Sequence, residues 1–439
     1  MDKFQKKTFK LSIAALAVGA CLAGAPAMAA SNTTGSIYGQ AKADAKITFK
    51  NSRTGLSRSV TATDGRFNFK EVPPGVYTIT SSNGGKRTIN VRLGTGSSVL
   101  FTQDEVETIS VSGSRISAID TSSSESSMVF TQEQIELLPI GRNTTAIALL
   151  TPGTIQGDND FGNLPSFGGS SVAENGYYID GFDATNLRDF LSFATLPFDA
   201  IAQTQVKTGG YGAEYGRSLG GVTNIITKSG SNDWEFGVAA YYSPESLRST
   251  RQDRNDFESK DPDTGEYLGK SIYASDDTSN SLTYNLSAGG PIIEDTLFFY
   301  TNVEFQKHQR EYFYRATSTE RVVDNPNAII KLDWYITDDH LLSATYIQNE
   351  TDRDYVRYAN NDVANEVPFD AATDAYIGAH RYETSRYTVE DGGDIKILNY
   401  TGHFSDDLSM NVMYGELVNK NDNQIPRNVD DVAALCPRS

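Results

Sequence analysis

Between Trp234 and Val418 apolar and polar residues alternate with a period of two, and this pattern limits the chain more than any other feature. In Ser281 to Gly289, Leu282, Tyr284, Leu286 and Ala288 share one face, while Ser281, Thr283, Asn285, Ser287 and Gly289 share the other. That is the period of a strand, not of a helix. Trp234, Phe236, Val238, Ala240 and Tyr242 repeat it. Read this way, the region holds seven strands: 234–242, 281–289, 296–306, 327–335, 341–349, 395–404 and 408–418. The connections after the second, fourth and sixth are short and acidic (Ile293-Glu294-Asp295, Thr337-Asp338-Asp339, Ser405-Asp406-Asp407), and those after the first, third and fifth are long. A soluble sandwich also alternates. Regular exchange of short turns with long loops, however, belongs to membrane β-barrels, whose strands are apolar outside and polar inside. Seventeen of the 23 tyrosines follow residue 231, as interfacial aromatic girdles would require.

At the other end, Lys3, Lys6, Lys7 and Lys10 form a positive segment ahead of an apolar run, Leu11 to Ala20, and Ala27-Met28-Ala29 forms an A-x-A cleavage site. Residues 1–29 therefore read as a signal peptide, and the protein as exported. Val18-Gly19-Ala20-Cys21 offers a rival reading, a lipoprotein box with an acylated Cys21. The apolar stretch Leu11 to Ala25 is shorter than the roughly 20 residues a bilayer helix needs, so no transmembrane helix is expected. Lys+Arg 38 against Asp+Glu 56 gives a formal net charge of −18; losing Asp2 and the four lysines with the leader, a net +3, takes it to −21. Such an excess argues against a nucleic-acid partner, which needs a basic face. The two cysteines, Cys21 and Cys436, leave no disulfide framework once the leader is removed.

Residues 32–102 carry seven short β-type runs separated by turn chemistry at Asn51 to Gly55, Asp64-Gly65, Pro73-Pro74-Gly75 and Asn83-Gly84-Gly85. This spacing predicts a β-sandwich with Ile37, Ile47, Phe49, Val60, Phe67, Phe69, Tyr77, Ile79, Ile89 and Val91 as its core. Asp64-Gly65-Arg66-Phe67-Asn68-Phe69, followed by Val72-Pro73-Pro74-Gly75-Val76-Tyr77, resembles the signature of the carboxypeptidase regulatory-like, transthyretin-like domain. The resemblance implies a carbohydrate-binding-like fold. No cluster of aromatics in the sequence suggests a sugar platform, which favours a structural or partner-docking role.

Residues 103–127 read as a linker, Ser/Thr-rich from Ser112 to Ser127, and residues 128–231 as a mixed α/β unit. Thr131 with Gln134 forms a capping box for a helix that stops at Leu138, because Pro139 disfavours α for its predecessor. A second short helix runs from Thr144 to Leu150. Strands are expected at Tyr177 to Ile179, before the Asp180-Gly181 turn, and at Gln203 to Thr208.

Four motifs in order carry a family resemblance: Leu138-Pro139-Ile140-Gly141-Arg142-Asn143; Leu150-Thr151-Pro152-Gly153; Tyr178-Ile179-Asp180-Gly181; and Gly216-Arg217-Ser218-Leu219-Gly220-Gly221-Val222-Thr223-Asn224-Ile225-Ile226-Thr227-Lys228. Behind a signal peptide and ahead of barrel-like strands, they resemble the plug domain of TonB-dependent outer-membrane receptors, in particular the Oar-like group with an N-terminal regulatory-like domain. Asp180, Gly181, Gly216, Gly220, Gly221 and Asn224 are the plug-motif residues, the glycines being expected where the plug fits tightly against a barrel wall. Glu107-Thr108-Ile109-Ser110-Val111 looks like a TonB box, a segment that a partner engages by strand addition; the alternative is a strand of either flanking domain. The fold expected is thus multidomain: an all-β transthyretin-like sandwich, an α/β plug, and the first strands of an incomplete transmembrane antiparallel β-barrel over 232–439.

Enclosing such a plug takes about 22 strands, against seven here. The terminal Leu435-Cys436-Pro437-Arg438-Ser439 also lacks the aromatic last strand that the resemblance implies. The chain is therefore expected to be an N-terminal fragment. The resemblance implies energy-coupled uptake of a solute (a peptide, oligosaccharide or chelated metal), with TonB and outer-membrane lipid as partners and the N-terminal domain in the periplasm of a Gram-negative bacterium. The rival is a structural or adhesive surface protein. No enzyme, cofactor or metal site is expected. His308, His340, His380 and His403 are scattered, no Lys-Ser/Thr follows Gly209-Gly210-Tyr211-Gly212, and Asp180 and Asp183 read as turn formers.

Overall fold

The computed structural model describes residues 32–101, 126–158, 164–186, 190, 195–255, 263–265, 270–314, 317–359, 382–405 and 408–424. The expected leader, Cys21, Cys436 and the segment Glu107 to Val111 lie outside the described residues. Among those described, no helix is long and apolar enough to cross a membrane.

The N-terminal unit has two sheets. One is β4 (Arg66–Val72), β1 (Gly35–Gln40) and β7 (Gly96–Leu100); the other is β3 (Ser57–Thr61), β2 (Lys46–Asn51), β5 (Gly75–Ser81) and β6 (Lys86–Val91). All seven lie where the turn chemistry places them. Asp64 and Gly65 both take positive φ in the tight turn before β4, the conformation for which an Asp-Gly pair is suited. Phe49 is fully buried, with Phe69 edge-on at 4.7 Å and Tyr77 at 5.3 Å. Burial pushes the Tyr77 phenol up, and its hydroxyl donates to the Pro73 carbonyl at 2.8 Å. Val60 and Ile89 are only partly buried at the rim of this core.

The middle unit comprises β8 (Ser126–Thr131), α1 (Gln132–Leu137), α2 (Thr144–Ala148), the hairpin β9 (Thr154–Gln156) and β10 (Pro165–Phe167), then β11 (Gly176–Ile179), β12 (Phe182–Asp183), β13 (Ile201–Gly209) and β14 (Val222–Thr227). Its main sheet has the order β12-β11-β14-β13-β8, with β11 and β14 parallel. The capping box closes at Thr131 and Gln134, and Leu138 is extended ahead of Pro139. β8 begins inside the segment read as connector. Its Ser-Ser start hides an edge strand that only pairing with β13 reveals.

The third unit is a wall. Beyond β15 (Glu235–Ser243) and the small hairpin β16 (Arg254–Asn255) and β17 (Lys270–Ile272), it runs through β18 (Thr278–Ile293), β19 (Leu297–Phe313), β20 (Thr317–Thr337), β21 (His340–Asn349), β22 (Thr351–Ala359), β23 (Tyr382–His403) and β24 (Ser409–Gln424). β22 continues β21 past Glu350 in one register. Asn327 faces Asn349 and Asp324 faces Asp352, so the two segments act as one strand between β20 and β23. The seven expected strands are all present, the first at its expected length and the other six longer. The expected long loop after the third is mostly ladder, with Gln309 opposite Val322 and Phe313 opposite Ser318. Past the apolar band both faces turn polar, so alternation stops marking the strand although hydrogen bonding goes on. Among the described residues β15 and β24 are the sheet's edges.

The wall's apolar face is the exposed one. Phe236 is 75% and Val238 82% accessible, whereas Thr283 and Asn285 on the opposite face are 8% and 2%. A water-soluble sheet has the reverse arrangement; this one suits lipid outside and protein inside. The inner face is not purely polar. Ile329, Ile347 and Ile395 are buried against Ile147, Ile179 and Ile225 of the middle unit, because contact there excludes water. Replacing Val238 by Arg places a charge on the lipid face at a cost of about 2–4 kcal/mol near mid-membrane. Val238→Arg is expected to lower the fraction of the protein recovered in outer membranes, whereas Ser246→Arg, in the segment after β15, leaves it unchanged.

Candidate functional site

β11 ends in a turn whose two residues, Asp180 and Gly181, have φ of 47° and 82°, reversing the chain so that Ile179 faces Phe182 on β12. The turn presents the Asp180 carboxylate to the neighbouring strand and to the wall. Oδ1 accepts from the Thr227 amide at 2.9 Å, and Oδ2 accepts from the Thr227 hydroxyl at 2.6 Å, the Thr345 hydroxyl at 3.2 Å and Lys331 Nζ at 3.2 Å. Lys331 also donates to the Thr227 carbonyl at 3.4 Å and hydroxyl at 3.1 Å. Both charged side chains are about nine-tenths buried. The pair therefore ties the middle unit to strands β20 and β21 of the wall.

Gly181 and Asn224 join the same end of the motif. Asn32 donates to the Gly181 carbonyl at 3.0 Å, the Asn224 side-chain amide donates to the Asn32 carbonyl, and a Cβ on Gly181 would meet Asn32, Thr33 and Met413. Gly220 and Gly221 sit at the far end of β14. A Cβ on Gly221 would lie 2.3 Å from the Phe167 ring, and one on Gly220 2.5 Å from Asn175 Oδ1. These close approaches are made within the middle unit, not to the wall as the sequence suggested. Gly216 departs further from that reading: a Cβ there would meet open space.

Tyrosines fasten the loop between β13 and β14. Tyr211 donates to the Ser218 and Gly220 carbonyls at 3.2 and 3.1 Å, and Tyr215 stacks edge-on with Tyr178 at 5.2 Å. Burial pushes the Tyr177 phenol up to about 12, partly offset by its bond with Asn175; burial and the nearby Asp183 carboxylate push Tyr178 up to about 12. Burial also holds the Lys228 ammonium below its ordinary range, against the pull of Glu136, Asp199 and Glu235. From the first motif, Arg142 pairs with Asp199 at 2.8 Å and lies 3.8 Å over the Tyr241 ring on β15. Lys331, Thr345 and Thr227 were missed as partners of Asp180. The signal for Lys331 was its charge at an inward position of Ile330-Lys331-Leu332.

Asp180→Ala leaves a buried ammonium without its counter-ion and is expected to cost about 3–5 kcal/mol, most of it recovered when Lys331→Met is added. Thermal denaturation of the membrane-assembled protein, followed by trypsin sensitivity of the middle unit, checks both. By the same assay Gly221→Ala costs about 1–3 kcal/mol through overpacking, while Gly216→Ala changes stability by less than about 0.5 kcal/mol.

Comparison with known proteins places these motifs. Residues 119–222 match the family model described as the TonB-dependent Receptor Plug Domain. The chain is 32% identical over 190 residues to the TonB-dependent transporter Oar of Myxococcus xanthus, an alignment covering 43% of this chain and 16% of that protein. Among solved structures it is similar to the outer membrane transporter YddB of Escherichia coli, at 14% identity and TM-score 0.47 over 66% of this chain and 38% of that one. It is also similar to the siderophore receptor PirA of Acinetobacter baumannii, at 18% identity and TM-score 0.43 over 66% and 39%. The proteins matched are receptors and transporters, not enzymes. The chain thus carries a TonB-dependent receptor plug domain set against a β wall, which places it in the outer membrane of a Gram-negative bacterium with the plug on the periplasmic side.

Proposed function

We propose that this protein works as a ligand-gated, energy-coupled transporter: outer loops bind a scarce solute, the plug occludes the lumen, and TonB pulls on the chain to open a path. One observation carries the reading. The plug is seated on the inner face of a wall whose apolar face turns outward, through a buried isoleucine cluster and a buried ion pair. An adhesin needs no such internal seat. The likeness to a protein named as a transporter supports the same conclusion. The solute class, a peptide, an oligosaccharide or a chelated metal, belongs to the proposal.

The N-terminal sandwich is assigned the role of a carboxypeptidase regulatory-like, transthyretin-like docking module in the periplasm, and Glu107, Thr108, Ile109, Ser110 and Val111 that of the TonB box. The plug-motif residues Asp180, Gly181 and Asn224 serve as its joint with the wall, and Gly220 and Gly221 as its internal packing. Proline at position 109 removes a donor that strand addition needs. Ile109→Pro is expected to abolish both cross-linking to TonB and uptake that depends on the proton-motive force, with unchanged assembly in the outer membrane. Loss of assembly together with uptake would instead make Ile109 part of the fold. Solute uptake indifferent to a protonophore would favour the adhesive reading.

A further inference from the structure

The sandwich sits on the rest of the molecule at the end of the wall that carries the short turns. Arg53 pairs with Glu235 and donates to Ser231 at 3.4 Å, and its carbonyl accepts from the Asn232 amide at 2.7 Å. Arg58 Nε lies 3.2 Å from Asp339, and the Ser57 amide donates to Asp338 at 3.3 Å, both on the turn after β20. Against the plug, the Leu93 amide donates to Gln203 Oε1 at 3.0 Å, and Gln205 donates to the Leu93 carbonyl at 3.4 Å. Tyr335 of the wall packs on the sandwich core.

Between the three bodies lies a cavity of about 470 Å³. Arg53 and Glu71 line it from the sandwich, Asp180 and Lys228 from the plug, and Lys331 and Thr401 from the wall. Asp180, Thr227 and Lys331 of the joint line it, so it reaches the seam between plug and wall, and residues of the sandwich close it on another side. The plug is held to the wall by an apolar core, whereas the sandwich meets the plug through buried hydrogen bonds at Leu93 and the wall through Tyr335 and ion pairs that lie toward solvent. Side chains of the Arg53–Glu235 pair are 52% and 59% exposed, and those of Arg58–Asp339 are 15% and 56%. Pairs of this kind contribute about 0–1 kcal/mol each and weaken as salt screens them.

We propose that the N-terminal sandwich is a releasable cover over the mouth of this cavity, fastened to the short-turn end of the wall by Arg53–Glu235 and Arg58–Asp339. The transporter reading supplies only the reason to release it; the cover itself rests on the contacts above.

The test is the reaction of Thr401→Cys with fluorescein maleimide, in a Cys436→Ser background, in isolated outer membranes. Labelling is expected to be slow with the native clasp and about tenfold faster in Arg53→Glu with Arg58→Glu, a change worth about 1.4 kcal/mol. Adding Glu235→Arg and Asp339→Arg is expected to restore the slow rate, which separates release of the cover from misfolding. A Cβ built on Gly55 lies 3.4 Å from the Asp295 Cβ, close to a disulfide's span. Oxidising a Gly55→Cys, Asp295→Cys pair is therefore expected to keep labelling slow even with the charges reversed. Equal rates in the native and charge-reversed proteins, or fast labelling with the tether closed, overturn the cover. If the transporter reading alone is wrong, these rates keep their pattern while solute uptake ignores a protonophore.

Discussion

Everything in this molecule is arranged around a sheet that is inside out by the standards of a water-soluble protein. Its apolar side chains point away from the protein, as at Phe236 and Val238, and its polar side chains point in. Lipid relieves the outer face of any need for a protein partner. The inner face has the opposite requirement: Asn285, Lys331 and Asp333 lie buried, and a buried polar group without partners costs several kcal/mol. Asn285 is answered by Asn302 across the ladder, at 2.9 and 3.0 Å. Lys331 has to be answered by the plug.

The plug meets this need at one end of a parallel strand pair. At the ends of β11 and β14, Asp180 and Thr227 together satisfy the Lys331 ammonium, and the surrounding isoleucines exclude water. A charge pair in such a place contributes less to stability than its Coulomb energy suggests, since both ions were desolvated to form it. What it supplies is a single seat: the plug cannot slide along the wall without stranding a buried ammonium. At the other end of β14, Gly220 and Gly221 let the plug's own loops close on Asn175 and Phe167. The sandwich is attached differently, by ion pairs toward solvent, buried hydrogen bonds to the plug at Leu93, and the packing of Tyr335.

Much of the secondary structure was legible because it rests on local chemistry. Asp64-Gly65 and Asp180-Gly181 supply the positive φ of their turns, Thr131 and Gln134 close a capping box, and Pro139 stops a helix. The strand ends were not legible. Lys307 to Tyr312 and Asp352 to Tyr358 are polar or mixed on both faces, so their place in the ladder follows from neighbouring strands and from no pattern of their own. The glycines show the same limit. Gly216 and Gly221 look alike in one motif, yet only the second has a ring where its Cβ would be.

By itself, the order of residues determined the period-two wall, the short acidic turns, the seven small strands at the N-terminus and the motifs of the plug, because each depends on neighbours within a few residues. Its alternation alone left open which face of the wall meets lipid, since a soluble sandwich alternates in the same way, and the exchange of short turns with long loops was needed to choose. Nor did it pair Asp180 with Lys331, which stand 151 residues apart, or seat the sandwich on Asp338 and Asp339. Those were decided by tertiary structure alone. A side chain's partner across that distance is chosen by how surfaces exclude water, and that depends on what the whole chain packs against.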